Sequence, residues 1–569
     1  MMFETRLDRA TWEAHCSERY EVPRLMLLDY LERRFDELRL KGKNVCLIDS
    51  RDERRISHSD LLAKSKSLAA SFQRANLCPG DLVCLCSTNC VESVVAFLAL
   101  LFMQCTVVIV KPIQDDPSVE SLLKQLPIRA AIARGEYATR LRATVPNLDI
   151  VLDLNDADLW MLSADRFCRP VPTDPERTIA FMVETSGSTG EPKLVQHSHF
   201  SYIATCWSVR EVHPAAQGVG LSLVPLSHIS GTGMLIEHLS SGSTYVLVEE
   251  NEIRNSDTKL FDLCEKFGVE QCMLLPAMLQ TLAADRRVAC RSHQLSHTAY
   301  INTGGAVLDD AIVRQLFAKL PKVRHVYNFY GMSECSVVGV ADATRERPAE
   351  EVAWLEVGCN TAVKIEDLGG TRQAVPPGTV GELMVRSPAV AVGYHNNTAE
   401  SASTFVRGPT TSVPSLAADR WLRTGDLAIM DEIGRFRIMD RIKSLIQCLG
   451  CPVLPSELER LLRQSFRVSH VSVVGIPHEK YTEAPTAFVV PSQVEEVESD
   501  TEQLRSLAYR MMANIDEHCA YPKRLFGGVI FLSNSLPEGQ SQKVAKLELR
   551  SRHLARALDY IATVEYVPK

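Results

Sequence analysis

The 569-residue chain lacks any apolar run long enough to be read as a membrane span. The one candidate, residues 94–110 (VVAFLALLFMQCTVVIV), falls short of the ~20 residues a spanning helix needs. At Gln104 it passes from Leu, Phe and Ala to the β-branched run 106–110, the pattern of a buried helix followed by a buried strand. There is no long Lys/Arg run, and the formal net charge is -8, so neither nucleic acid nor a membrane surface is expected as a partner. The opening residues MMFETRLDRATWE contain no apolar segment of the secretory kind, and the chain ends YVPK rather than in a peroxisomal address. The 17 cysteines are odd in number and scattered, which suits reduced thiols and a cytoplasmic location. Cys448 and Cys451 form a C-x-x-C with no second one to complete a zinc site. Cys84 and Cys86, on one face of LVCLC, read as small core residues. Fixed-period repeats and low-complexity tracts are missing too.

What remains is ordinary globular composition in a chain too long for one core. From about residue 80 to 440, short β-rich runs alternate with amphipathic helical segments, as in TAYIN followed by DDAIVRQLFAKL. That alternation predicts an α/β fold, a large N-terminal domain (residues 1–439) of mixed and parallel sheets flanked by helices. Near Asp440 the pattern changes to about 130 residues of compact α+β structure, a smaller C-terminal domain over 440–569. Two helices there are predicted to open on capping boxes, Ser456 with Glu459 and Ser499 with Glu502.

Residues 184–193 read ETSGSTGEPK. Apolar β runs on both sides argue against a flexible linker. The Walker pattern does not fit, because Leu194 stands where Ser or Thr is required. The alternative is a phosphate-gripping loop on a β-turn-β frame. In it Gly187 and Gly190 permit positive φ, Ser186, Ser188 and Thr189 donate hydroxyls, and Lys193 supplies a cation. Four further segments stand out: PLSHISG (225–231) with His228 in a loop, NFYGMSE (328–334) at a strand end, WLRTGD (421–426) ending in a turn, and LPEGQSQK (536–543) presenting Lys543. Singly, each is more often structural than catalytic.

Together and in this order, these segments resemble the adenylate-forming superfamily of acyl-CoA synthetases, 4-coumarate–CoA ligases, beetle luciferases and peptide-synthetase adenylation domains. Residues 185–193 match its phosphate loop, Tyr330–Glu334 its Y-G-x-[ST]-E, Thr424–Asp426 its T-G-D, and Lys543 its terminal lysine; GELMVRSPAVAVGY (381–394) and DRIKSLIQCLG (440–450) look like its G-E…G-Y and hinge segments. The resemblance implies that a carboxylate attacks the α-phosphate of ATP, giving acyl-adenylate and pyrophosphate, after which the acyl group passes to CoA. It implies Thr185–Lys193 on the β- and γ-phosphates, Glu334 on Mg²⁺ and Ser333 at the α-phosphate. Tyr330 would lie on adenine, with Gly304, Gly305, Asn328 and Gly331 around it. Asp426 would hold the ribose hydroxyls with Arg441 nearby, His228 would lie beside the substrate carboxylate, and Lys543 would bridge carboxylate and phosphate. The small domain would be mobile about a hinge at Asp440–Lys443. Ser230, Met234, Thr303, Met332 and Val338 would line the acyl pocket; their character favours an apolar or aromatic carboxylic acid.

Three positions depart from the family pattern: Leu194 and Gln542 replace glycines, and Gln447 replaces a lysine of the hinge segment. Gln447 bears on the second half-reaction. It keeps open another acceptor, such as a thiol on a separate carrier protein, an amine, or luciferase-like oxidation. The three substitutions together also leave room for a non-catalytic nucleotide- or acyl-binding homologue.

Overall fold

The computed structural model describes residues 4–112, 117–145, 148–185, 193–210, 218–249, 259–284, 287–305, 308, 310–346, 353–370, 372–407, 420–491, 501–533, 536–537 and 546–566. Ser186, Gly187, Ser188, Thr189, Gly190 and Lys543 lie outside these residues, as does Ser499 of the second predicted capping box. The chain divides into two compact units. One comprises Met1–Lys364, Met384–Thr424 and Met430–Phe436, the other Ile365–Leu383, Gly425–Ile429 and Arg437–Lys569. Among the described residues no helix is long and apolar enough to cross a membrane.

The first unit is α/β, built on two large sheets. In one, the strands run in the order Gly393–Tyr394, Lys193–Ser198, Ile179–Thr185, Thr106–Val110, Leu82–Cys86, Ala130–Ala133, Ile150–Asp153. From Ile179–Thr185 onward every neighbour is parallel; the two outer pairings around Lys193–Ser198 are antiparallel. The second sheet has nine strands. At its centre Val45–Asp49, Thr244–Leu247, Val219–Ser222, Gln271–Met273, Tyr300–Gly304 and His325–Met332 run parallel, and Ser336–Thr344 returns antiparallel. Central parallel strands are covered on both faces, hence their continuous Val/Ile/Leu character.

The apolar run that could not span a membrane is the buried helix Val91–Phe102 followed by the buried strand Thr106–Val110. Gln104 turns the chain between them at φ +57. Cys84 and Cys86 are fully buried in the core with Val108, Met182 and Leu194. Leu194 thus fills core volume where the family pattern has glycine.

The second unit is α+β. Its sheet pairs Val468–His478 with Thr482–Pro491 over their whole length, and Val529–Leu532 adds parallel to the latter. The helices Pro455–Ser465 and Thr501–His518 supply Leu458, Leu462, Leu504, Met511 and Ile515 to its core. Two local expectations fail. Thr424–Asp426 is not a terminal turn: the strand Arg420–Met430 runs through it, with Gly425 at φ +68. The capping box at Ser456 does not form either. Pro455 occupies the start of that helix, and the Ser456 N–H donates to the Asp440 carboxylate at 3.0 Å while its hydroxyl donates to the Met439 carbonyl at 2.7 Å. Glu459 instead accepts from the Val473 N–H at 2.9 Å and pairs with Lys546. A distant carboxylate therefore satisfies the Ser456 N–H that the Glu459 side chain was expected to cap.

Candidate functional site

Strands Ile179–Thr185 and Lys193–Ser198 pair antiparallel with Thr185 opposite Lys193. The two flanking strands are thus adjacent and antiparallel, the β frame expected on either side of a non-Walker loop. Lys193 is held at the mouth of that frame. Its ammonium pairs with the Glu400 carboxylate and sits 5.2 Å above the Tyr394 ring. Glu400 belongs to the helix Thr398–Thr404, whose cap Asn397 accepts the Glu400 N–H and donates to its carboxylate, both at 3.1 Å.

Tyr394 links this cation to Glu334. It lies opposite Val195 in the sheet, and its hydroxyl donates to Glu334 Oε1 at 2.7 Å. Burial, and then the Glu334 charge, push the Tyr394 hydroxyl well above the usual phenol range, so it remains a donor. Glu334 is only 5% exposed. It sits in the tight turn joining His325–Met332 to Ser336–Thr344, where the Cys335 N–H donates to the Met332 carbonyl at 3.1 Å and Ser336 adopts φ +54. Gly331 makes this hairpin possible: a Cβ there would stand 1.9 Å from the Ser336 carbonyl oxygen.

The same turn is braced from behind by a residue the motifs did not flag. His197, fully buried and stacked on Phe181 at 5.2 Å, donates from Nε2 to the Ser333 carbonyl at 2.8 Å. Burial pushes its imidazole down to about 4, so near neutrality it is uncharged with the proton on Nε2, the tautomer this hydrogen bond selects. Ser333 itself is half-buried.

Tyr330, Asn328, Gly304 and Gly305 come together because strand Tyr300–Gly304 pairs parallel with His325–Met332, with Thr303 opposite Asn328 and Gly304 opposite Phe329. Tyr330 is half-buried with its ring edge-on to Phe436 at 5.8 Å, and Gly305 leaves the strand at φ +91. In the second unit Asp426, 3% exposed, is paired with Arg441 at 2.9 Å. Asp440 is anchored to the helix Pro455–Ser465 as described, and Lys443 is exposed in the turn Ile442–Ser444. Gln447 has an exposed side chain, and its N–H donates to Glu483 at 2.8 Å.

His228, expected in a loop, ends that loop as the N-cap of the helix Ile229–Ser241, and its Nδ1 accepts the Ser230 N–H at 3.1 Å. Of the expected acyl-pocket residues, Ser230 and Met332 are half-buried, Met234 is 9% exposed, and Thr303 and Val338 reach no solvent in this structure. The sequence reasoning passed over Tyr394, Glu400 and His197. Tyr394 had a signal, being the Tyr of the G-Y segment. His197 shares a strand face with Val195, and only tertiary packing reveals its partner.

The residues at Glu334 suit a hard divalent cation held by few protein groups. One buried carboxylate is linked through Tyr394 to Lys193, and among the described residues no cluster of three or more His, Cys, Asp or Glu could hold a metal by itself. A Mg²⁺ that keeps several waters and takes its other ligands from phosphates needs no more.

The family model of the AMP-binding enzymes matches residues 36–395, and that of the AMP-binding enzyme C-terminal domain matches residues 457–543. The 4-coumarate–CoA ligase-like 6 of Arabidopsis thaliana is 26% identical over 524 residues, covering 89% of this chain and 88% of that protein. The ATP-bound structure of MatB from Rhodopseudomonas palustris superposes with a TM-score of 0.79 at 20% identity, covering 93% of this chain and 99% of that one. The amide bond synthetase McbA of Marinactinospora thermotolerans superposes at 0.76 with 22% identity, covering 92% and 99%. With the antiparallel strands Ile179–Thr185 and Lys193–Ser198, the Glu334 hairpin and a family model covering well over half its length, the chain belongs to the AMP-binding, adenylate-forming enzymes.

Proposed function

We propose that this enzyme activates a carboxylic acid with ATP and then transfers the acyl group to the thiol of CoA. A carboxylate oxygen attacks the α-phosphorus, the bond to the pyrophosphate leaving group breaks, and acyl-adenylate remains bound. The thiol sulfur then attacks the acyl carbon and AMP departs. The carboxylate is already an adequate nucleophile, so the barrier lies in bringing anions together and in charge gathering on the phosphoryl oxygens. The observation that carries the reading is the chain of contacts Lys193–Tyr394–Glu334 beside the phosphate-loop frame.

In this reading Thr185, residues 186–190 and Lys193 hold the β- and γ-phosphates, and the incoming phosphates displace Glu400 from Lys193. Glu334 holds Mg²⁺, which when bound neutralises phosphate charge. Ser333 faces the α-phosphate. Tyr330 lies on adenine among Gly304, Gly305, Asn328 and Gly331. Asp426 accepts from the ribose hydroxyls once Arg441 turns to the nucleotide. His228 sits beside the substrate carboxylate, with Ser230, Met234, Thr303, Met332 and Val338 around the acyl group, and Lys543 neutralises the reacting oxygens. The working domains are 1–439 and 440–569, hinged at Asp440–Lys443.

An ATP–pyrophosphate exchange screen over an acid library, run with and without CoA, tests the proposal. Exchange with at least one acid, thioester formation on adding CoA, and loss of exchange by orders of magnitude in Lys543→Ala are expected. No exchange with any acid would refute activation. The exposed Gln447 and the likeness to an amide bond synthetase favour one second reading, an amine or carrier-thiol acceptor. Exchange without thioester would establish that reading instead.

A further inference from the structure

The strand Lys193–Ser198 reaches both halves of the site. Lys193 opens it, and His197 stands next to its end. The His197 Nε2 donates at 2.8 Å to the Ser333 carbonyl, which belongs to the peptide joining Ser333 to Glu334. That turn is tied a second time, the Ala391 N–H donating to the Glu334 carbonyl at 2.8 Å. The segment after Ala391 is itself laced to the same strand: the Val392 N–H donates to the Gln196 carbonyl at 2.8 Å and the His395 N–H to the Leu194 carbonyl at 2.9 Å. The His197 ring is clamped. It has no exposed surface, Phe181 stacks on it at 5.2 Å, and Tyr202 meets it edge-on at 5.8 Å. Its Nδ1 is buried without a hydrogen-bond partner among the described residues. An apolar side chain would occupy the same place without stranding an acceptor, so core packing does not account for a histidine here. What histidine adds is the Nε2 proton on the Ser333 carbonyl.

We propose that His197 is a positioning residue for the activation step: by fixing the Ser333–Glu334 peptide, it sets the Ser333 hydroxyl and the Glu334 carboxylate at one spacing from Lys193. The proposal rests on the acid-activating reading above and deepens it. Ser333, Glu334 and Lys193 are there assigned to the α-phosphate, to Mg²⁺ and to the outer phosphates of a single ATP molecule, so their mutual spacing is what the reaction uses. Tyr394 holds the tip of the Glu334 side chain, whereas His197 holds the backbone from which both side chains spring. Without the Nε2 bond the peptide can rotate and swing both groups together. A displacement of about 1 Å at such a site can cost ~100-fold in rate. His197 acts through that peptide alone, so use of the acid should not depend on it.

The test combines pyrophosphate exchange with calorimetric titration of ATP in Mg²⁺, using wild type, His197→Leu, His197→Asn and His197→Gln, each checked for folding by its melting temperature. The glutamine amide N–H can lie close to where Nε2 stands, and the asparagine amide falls short of it. His197→Leu and His197→Asn should lower kcat of exchange at least about tenfold, raise the Mg²⁺ concentration for half-maximal rate and weaken binding of Mg-ATP. KM for the acid should stay within about twofold of wild type. His197→Gln should recover most of kcat, of the Mg²⁺ midpoint and of the affinity. A role in packing alone predicts instead that His197→Gln does no better than His197→Leu. Should His197→Leu fail to fold, the Asn and Gln variants make the same comparison. Wild-type kcat, Mg²⁺ midpoint and affinity in folded His197→Leu or His197→Asn, or His197→Gln no better than these, overturns the inference, while wild-type exchange upholds acid activation. A wild type that exchanges with no acid removes the activation reading, and the Mg-ATP affinities of the same variants then decide on His197.

Discussion

Tyr394→Phe is the most informative single change at the site. It deletes one oxygen and keeps the ring that lies 5.2 Å beneath the Lys193 ammonium, so the cation–π contact survives. What is lost is the 2.7 Å hydrogen bond to Glu334, a carboxylate only 5% exposed. A hydrogen bond to a charged group contributes about 1.5–3 kcal/mol, and a buried acceptor deprived of it bears the desolvation cost. If Glu334 holds Mg²⁺ as proposed, its misplacement should lower kcat of pyrophosphate exchange about 10- to 100-fold and raise the Mg²⁺ concentration for half-maximal rate. Tyr394→Leu also removes the ring and should cost a further ~0.5–1 kcal/mol, expressed in KM for ATP. Exchange is measured by radiolabelled pyrophosphate across a Mg²⁺ titration. A Tyr394→Phe enzyme with wild-type kcat and an unshifted Mg²⁺ midpoint would refute the claim that this hydroxyl positions Glu334.

Other expectations follow from the same geometry. Glu400→Gln removes the ion pair that competes with phosphates for Lys193 and should lower KM for ATP severalfold; an increased KM would mean that Glu400 holds the lysine in its working place. Gly331→Ala puts a Cβ within 1.9 Å of the Ser336 carbonyl oxygen and should lower the melting temperature and abolish exchange; wild-type behaviour would contradict the hairpin geometry. Acid stability should depend on His197 and His199, whose imidazoles burial pushes down from 6.5 to about 4 and about 3. The unfolded chain takes up these protons near pH 6.5 and the folded chain does not, so their contribution is complete above that pH and declines as pH falls toward 4–3, by about 2 kcal/mol each at pH 5. His199→Gln should flatten the fall in unfolding midpoint between pH 7 and 5, and parallel curves for variant and wild type would count against this. Glu237 acts in the opposite sense: its carboxyl, raised from 4.5 to about 8, leaves stability complete below pH 4.5 and eroded as pH rises toward 8.

Much of the fold was legible because it rests on local pattern. The switch at Gln104 from a Leu/Ala/Phe run to a β-branched one marks a helix and then a strand at any position in any protein. Short strands alternating with amphipathic helices demand the α/β layering seen in the first unit. Failures came where a distant group replaced a local one. Ser456 lost its capping role because Pro455 starts the helix and Asp440 supplies the acceptor. Thr424–Asp426 lost its turn because the strand continues through Gly425. Turn and cap preferences are worth about 1 kcal/mol, which one tertiary hydrogen bond outweighs.

The sequence alone pointed to the family, since residues 185–193, Tyr330–Glu334 and Lys543, in that order, resemble the adenylate-forming pattern that the family models match. It also determined that residues 94–110 could not span a bilayer. Only the tertiary structure decided what each of these residues leans on: Lys193 on Glu400 and Tyr394, Glu334 on Tyr394, the Ser333 carbonyl on His197. Only it brought the Tyr202 hydroxyl against Gly233 of the helix Ile229–Ser241. The physical reason is range. Helix and strand periodicity is written in neighbours up to four residues apart, whereas a buried carboxylate's partner is set by which strands pair and which helices cover them, across 60 residues between Glu334 and Tyr394.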